Sequence, residues 1–186
     1  MVTNDSPLGS DPAEDPFLVL GVAPSLDLTP ADVAAAHLRA SARVHPDRAR
    51  DPVERDRLLR ESAALGSAKR TLQDPVLRAE ALLRLRGVPA VEVPLSPAFL
   101  METLELREAI DAAAAAADSA ALGALRLQAG ALQRAALDDL RVALAGVGAL
   151  GGTAGLDTAA AEKGARAALA RLRYAARMVA RLDEAL

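Results

Sequence analysis

The sequence predicts an all-α protein built as two small helical domains, and three observations carry that expectation. Of 186 residues, 45 are Ala and 31 are Leu. Both are strong helix formers, and the β-branched residues that favour sheets are few. Apolar positions recur at three- and four-residue spacing in a series of segments punctuated by Pro and Gly. The length allows one large or two small domains.

Residues 1–14, rich in Ser, Pro, Gly and Asp, are expected to form a disordered tail. Asp15-Pro16 opens a short apolar segment, Phe17 to Leu20, closed by Gly21. Its length suits either a strand or a turn and a half of helix. Thr29-Pro30-Ala31-Asp32 is a helix start: Thr29 caps, Pro30 takes the first helical position and Asp32 stands three residues after the cap. That helix is expected to reach Val44, because Pro46 disfavours helical geometry at His45. Val33, His37, Ala40 and Val44 form its inward stripe, on which His37 reads as a core histidine. Pro52 opens a second long helix to about Leu72, with Leu58, Ser62, Leu65, Ala68 and Leu72 as its stripe. The pair makes an antiparallel helical hairpin. Asp74-Pro75 breaks the chain again, and Val76 to Arg86 is a further helix ended by Gly87.

Residues 87–94, with two prolines and no helical period, read as a linker, so the first domain is expected at 15–86 and the second at 95–186. Ser96-Pro97 restarts a helix that runs through the alanines at 112–117. A second stretch runs from Ser119 to about Val147. The Gly-rich segment 146–155 is expected to be a flexible loop, and a last helix runs from Asp157 or Thr158 to the end. Three helices with one Gly-rich connection suggest a small antiparallel bundle.

Composition excludes several functions. The chain has no Cys and only two His, His37 and His45. Cysteine nucleophiles, thiolate zinc sites and all-Cys iron–sulfur sites on this chain are ruled out. A net charge of −3 does not favour nucleic acid as a partner. The acidic start has no apolar stretch of the secretory kind, and the longest uncharged stretch, Val142 to Leu156, is too short and too rich in Gly to span a membrane. A cytoplasmic protein is the expectation.

His45-Pro46-Asp47 is the most informative tripeptide. Pro46 ends a helix and fixes a backbone angle, so the loop projects a ring and a carboxylate from the tip of a rigid hairpin. Arg39 and Arg43, four residues apart, lead into that tip, and Arg48 and Arg50 extend the positive surface. A plain helix-ending turn on a basic face fits the same residues. So does an acid–base or metal pair of His45 and Asp47, although a metal site usually needs three or more ligands. The order of short apolar helix, capped helix with arginines, His-Pro-Asp and second long helix resembles the J-domain of J-type co-chaperones. That resemblance implies that His45, Pro46 and Asp47, with Arg39 and Arg43 as docking charges, bind an ATPase chaperone of the DnaK class and stimulate its ATP hydrolysis. Two positions depart from the family: Val44 and His37 stand where it usually has aromatics.

On a helical wheel of residues 96–111, Phe99, Thr103, Leu106 and Ile110 fall within a narrow arc, the natural core face. Leu100, Met101, Leu104, Glu105 and Glu108 centre on the opposite side. An exposed Leu-Met-Leu patch rimmed by Glu would mark a partner site; a bundle that buries both faces is the alternative. In the last helix Ala168, Leu172, Ala175, Val179, Leu182 and Leu186 mark one face. Tyr174 and Met178 lie to one side of it, among Arg171, Arg177 and Arg181. Tyr174 suits a binding anchor or a ring laid along the bundle seam.

Three stretches, His-Pro-Asp at 45–47, LQDPVLRAEALLRLRG at 72–87 and FLMETLELREAID at 99–111, resemble the HscB family, J-type co-chaperones of iron–sulfur cluster assembly. The resemblance implies a J-domain followed by a three-helix domain that binds the scaffold protein IscU through Leu100, Met101, Leu104, Glu105, Glu108 and Tyr174. It further implies delivery of that scaffold to a chaperone of the HscA type, with the cluster held by the scaffold, so the chain itself would be neither an enzyme nor a cofactor carrier. Ala112 stands where the family has a further acidic residue, which implies a weaker electrostatic contribution. A general J-domain co-chaperone recruiting another client through its helical domain is the alternative.

Overall fold

The computed structural model of the protein describes residues 15–44, 49–147 and 156–186. Seven helices and no strand lie among them: α1 (Pro16–Leu20), α2 (Pro30–Ser41), α3 (Pro52–Gln73), α4 (Pro75–Leu85), α5 (Pro97–Ala115), α6 (Ser119–Gly146) and α7 (Leu156–Ala185). The chain divides into two compact units between Leu85 and Arg86. The fold is all-α, as expected. The His-Pro-Asp tripeptide, Arg48 and residues 148–155 of the expected flexible loop lie outside the described residues, as does the tail at 1–14.

One local device starts each of the first five helices. Each begins with Pro, preceded by Asp15, Thr29, Asp51, Asp74 or Ser96. Proline's missing N–H costs nothing at the first helical position, and the short polar side chain before it accepts from backbone N–H groups that have no helical partner. Asp15 accepts from Phe17 and Leu18. Asp51 accepts from Glu54 at 2.7 Å and Asp74 from Val76 at 2.7 Å. At α2 the box is reciprocal. The Thr29 hydroxyl accepts from the Asp32 N–H at 3.1 Å, while the Thr29 N–H and hydroxyl donate to the Asp32 carboxylate at 3.0 and 2.6 Å. The ambiguous segment at 16–20 is therefore a helix, closed by Gly21 at φ 66° with the N–H of Val22 bonded back to the carbonyl of Phe17.

In the first unit α3 is the central element, packing on α1, α2 and α4. Phe17, Val33 and Leu72 are fully buried there, with Leu58, Leu65 and Ala68 of the expected α3 stripe. Arg78 is also buried. Its guanidinium donates at 2.6 Å to the carbonyl of Leu72, so a side chain of α4 satisfies one of the orphan carbonyls at the end of α3 and places its charge at the negative pole of that helix. The α2 helix ends at Ser41, three residues short of Val44. Backbone bonds from Arg43 to Ala40 and from Val44 to Ser41 tighten its end into i, i+3 turns. His37 is half-buried, its ring within 3.5 Å of the Ser41 hydroxyl.

In the second unit α6 and α7 pair along most of their length and α5 lies across both. Leu106, Ile110, Ala113, Leu122, Ala129, Met178 and Leu182 form one apolar cluster. The α6–α7 seam is close. A β-carbon placed on Gly146 would meet that of Ala161 at 3.0 Å, and one on Gly164 would meet that of Ala143 at 3.6 Å. Ion pairs flank it, Arg126 with Asp183 and Arg171 with Asp139. Met178, read from sequence as lying beside the core face, is buried within the cluster, while Leu186 is exposed.

The α5–α6 connection turns within three residues. The N–H of Asp118 bonds the carbonyl of Ala113 and that of Ala117 the carbonyl of Ala114, a Schellman closure that needs a left-handed residue. Ala117 fills that place at φ 50°, where a β-carbon costs roughly 1–2 kcal/mol. Ala117→Gly is expected to stabilise the second unit by about 0.5–1 kcal/mol after the entropy gained by the unfolded chain, read as a higher denaturation midpoint at unchanged slope in urea.

The hydroxyl and then the backbone N–H of Thr29 hold the Asp32 carboxyl below its ordinary value of 3.8. A carboxylate whose folded-state pKa is depressed stabilises the fold at pH above its unfolded value, and loses that contribution as pH falls through the lowered value. In a carboxyl-detected NMR titration, Asp32 is expected to titrate below its ordinary value, and Thr29→Ala to raise it part of the way back, since the backbone N–H of residue 29 still donates to it.

Candidate functional site

The exposed face of α5 follows from how the helix starts and what it packs on. Ser96 caps it, accepting from Phe99 N–H at 3.3 Å, and Pro97 takes the first position. That start sets the phase of the helix. Thr103, Leu106, Ile110 and Ala113 then turn into the core, and the buried hydroxyl of Thr103 is satisfied by donating to the carbonyl of Leu100 at 3.0 Å. The opposite side is left largely uncovered among the described residues. Leu100 is 43% exposed, Met101 58% and Leu104 47%, and Glu105 and Glu108 are exposed beside them. Neither glutamate forms an ion pair among the described residues. Of the two arrangements open to the sequence, the structure takes the one with an uncovered α5 face.

Helix α7 supplies the aromatic. Tyr174 is half-buried. Its ring meets that of Phe99 edge-to-face, centroids 6.2 Å apart and planes at 79°, and the guanidinium of Arg177 lies 5.6 Å from the centroid of the Tyr174 ring. The contact with Phe99 joins Tyr174 to α5. Phe99, expected in the core, is instead half-buried and forms the wall against which Tyr174 stands. Farther along, Asp111 of α5 pairs with Arg181 of α7, so the two helices are fastened at both ends of the patch. The outcome is an exposed apolar face of Leu100, Met101 and Leu104 on α5 with two free carboxylates on its rim, and a half-buried Tyr174 ring on α7 that packs against the core cluster and meets α5 at Phe99, the residue before Leu100. That composition suits a protein partner: an apolar centre with an aromatic anchor, bordered by charge.

The sequence pattern could not show the Phe99–Tyr174–Arg177 stack. It depends on the relative placement of two helices whose contacting residues stand some 75 positions apart, and periodicity reports only which side of each helix faces inward.

In the first unit, Arg39 is exposed in the last turn of α2. Arg43 is exposed in the turn after it rather than on the helix itself. Both precede residues 45–48 in the chain. Leu38 is exposed beside them; nothing in the sequence pattern drew attention to it. Among the described residues, no group of three or more His, Cys, Asp or Glu side chains gathers in a way that could hold a metal ion, and no helix is long and apolar enough to cross a membrane.

Comparison with known proteins gives these features a context. Residues 95–183 match the family described as the HSCB C-terminal oligomerisation domain. The co-chaperone protein HscB homolog of Burkholderia multivorans is 37% identical over 140 residues, covering 73% of this chain and 75% of that protein. The homolog of Bordetella pertussis is 36% identical over 121 residues, 62% of this chain and 70% of that one. For the Vibrio cholerae homolog the figures are 41% over 109 residues, 55% of this chain and 64% of that protein, so the match spans less than two thirds of its length. Among solved structures, the chaperone HscB from Vibrio cholerae superimposes with a TM-score of 0.70 at 26% identity, covering 91% of this chain and 96% of that one. The human co-chaperone HscB superimposes with a TM-score of 0.67 at 20% identity, over 99% and 91%, which shows a shared fold. The two helical units are thus the J-domain and helical C-terminal bundle of those structures, and the chain belongs to the HscB family of co-chaperones.

Proposed function

We propose that the protein is a cytoplasmic co-chaperone that holds an IscU-type iron–sulfur scaffold protein on the α5–α7 face and brings it to a DnaK- or HscA-class chaperone, whose ATPase it stimulates. The observation that carries the reading is the uncovered patch of Leu100, Met101 and Leu104, rimmed by Glu105 and Glu108 and standing beside Tyr174. On this reading residues 15–86 act as the J-domain, 87–94 as the connection and 95–186 as the scaffold-binding domain. His45, Pro46 and Asp47 contact the chaperone, with Arg39 and Arg43 supplying long-range attraction to an acidic surface. The protein catalyses nothing and carries no cofactor; the cluster is cargo that stays on the scaffold.

Binding and stability separate the site from the core. Calorimetric titration with the scaffold protein of the same organism is expected to give saturable one-to-one binding. Leu104→Ala and Tyr174→Ala should each weaken it by about tenfold or more, as truncation of a central anchor does. Because Leu104 is half in solvent, Leu104→Ala should move the melting temperature by less than about 4 °C. No binding by a folded protein would leave the general J-protein reading, in which the helical domain recruits a different client.

The chaperone arm has its own test. Asp47→Asn is expected to leave the helical circular-dichroism signal and melting temperature unchanged while abolishing stimulation of ATP hydrolysis in a single-turnover assay with the chaperone. Stimulation retained at the wild-type level would overturn the J-domain role.

A further inference from the structure

We propose that Arg177 is a second charged anchor of the α5–α7 site and takes a carboxylate of the scaffold protein, opposite in sign to what the glutamates of α5 take. This rests on the reading of that face as the scaffold site and deepens it.

The inference starts from which arginines of α7 are already engaged. Arg166 pairs with Glu162, Arg171 with Asp139 and Arg181 with Asp111, and Arg173 also has a partner. Arg177 is exposed. Among the described residues, its contact is with the ring of Tyr174 and not with an acid. The guanidinium carbon lies 5.6 Å from the ring centroid, within reach of the attraction between a cation and the negative face of the π system. None of its N–H donors is taken by an acid among the described residues, and they form the fork that matches a carboxylate with two parallel hydrogen bonds. Stacking therefore reduces the rotamer freedom of a long side chain before any partner arrives, while leaving its donors unspent.

The surroundings give that fork a direction. On α5, Glu105 and Glu108 border the apolar patch with negative charge. On the other flank, Arg107 stands one turn before Asp111, the residue that reaches α7, and is itself exposed. The patch thus lies between an acidic rim on α5 and a basic rim toward α7. A partner that satisfies both must present a cation to the first and a carboxylate to the second. A dipolar requirement of this kind fixes the orientation of docking as well as its strength.

The test uses the full chain and the apo scaffold protein from the same organism, titrated calorimetrically at low and at moderate salt. Arg177→Gln is expected to weaken binding by about fivefold to tenfold at low salt and to flatten its salt dependence. Arg177→Glu should weaken it further, and Arg177→Lys should recover part of the loss, while all three keep the wild-type melting temperature. Wild-type affinity in Arg177→Gln and Arg177→Glu, with Tyr174→Ala still weakened, would overturn the inference and leave the scaffold reading standing. Weakened binding with an unchanged salt dependence would also overturn it, because Arg177 would then act only as a cover for the ring. If neither Tyr174→Ala nor Leu104→Ala weakens binding, the scaffold reading fails, and the role of Arg177 with it.

Discussion

The constraint from which the second unit follows is the shortage of large side chains. A domain with one Phe and one Tyr must fill its interior with Leu and Ala. Small residues leave voids unless the backbones approach, and a void forfeits dispersion contacts along its whole lining. The α6–α7 seam meets that demand at Gly146 against Ala161 and at Gly164 against Ala143. Close approach along two long helices builds the apolar surface on which the third helix packs. α5 lies on it with a single narrow stripe, from Thr103 to Ala113, and the rest of its circumference remains in solvent. The exposed Leu-Met-Leu face is thus what remains when a thin core is closed by a third helix.

The first unit solves a different problem with the same economy of means. Its core is anchored by Phe17, fully buried on a helix of five residues. So short a helix has no stability of its own in water. Asp15 at one end and Gly21 at the other hold it together, and its burial against α3 supplies the rest. Arg78 then ties the end of α3 to α4 through a carbonyl that would otherwise be orphaned in the interior. In the second unit the buried polar group, the Thr103 hydroxyl, is satisfied instead within its own helix.

Much of this was legible beforehand, for physical reasons that can be named. Helices α2 to α5 announced themselves because each starts with a capping residue followed by Pro, a signal local to two positions. The core face of α5 followed from a wheel, since rotation per residue is nearly constant; the wheel grouped Leu100, Met101 and Leu104 on the opposite side but left open whether that side is covered. Three things were not legible. The segment at 16–20 is too short for its period to tell helix from strand. The end of α2 slipped by three residues because tightening into i, i+3 turns costs little and leaves no mark in the sequence. The place of Met178 in the core, and of Phe99 half out of it, depends on where α5 crosses α7, which no single helix records. The family resemblance drawn from residues 72–87 and 99–111 holds, and it is those helical stretches more than the His-Pro-Asp tripeptide that distinguish this chain among helical hairpins.

The site is assembled from two helices that come together only when the last one docks. Leu104 and Tyr174 are far apart in sequence and share a surface only once α7 lies in place against α5 and α6. Anything that binds this surface therefore binds the completed domain and not its unfolded or partly folded forms. Mass action then makes the partner a stabiliser of the co-chaperone: at a free concentration a hundredfold above its dissociation constant, it adds about 2.7 kcal/mol to the folded state. In a cell, the amount of that partner would set how long the folded chain survives proteolysis, coupling the supply of one to the lifetime of the other without any dedicated regulator.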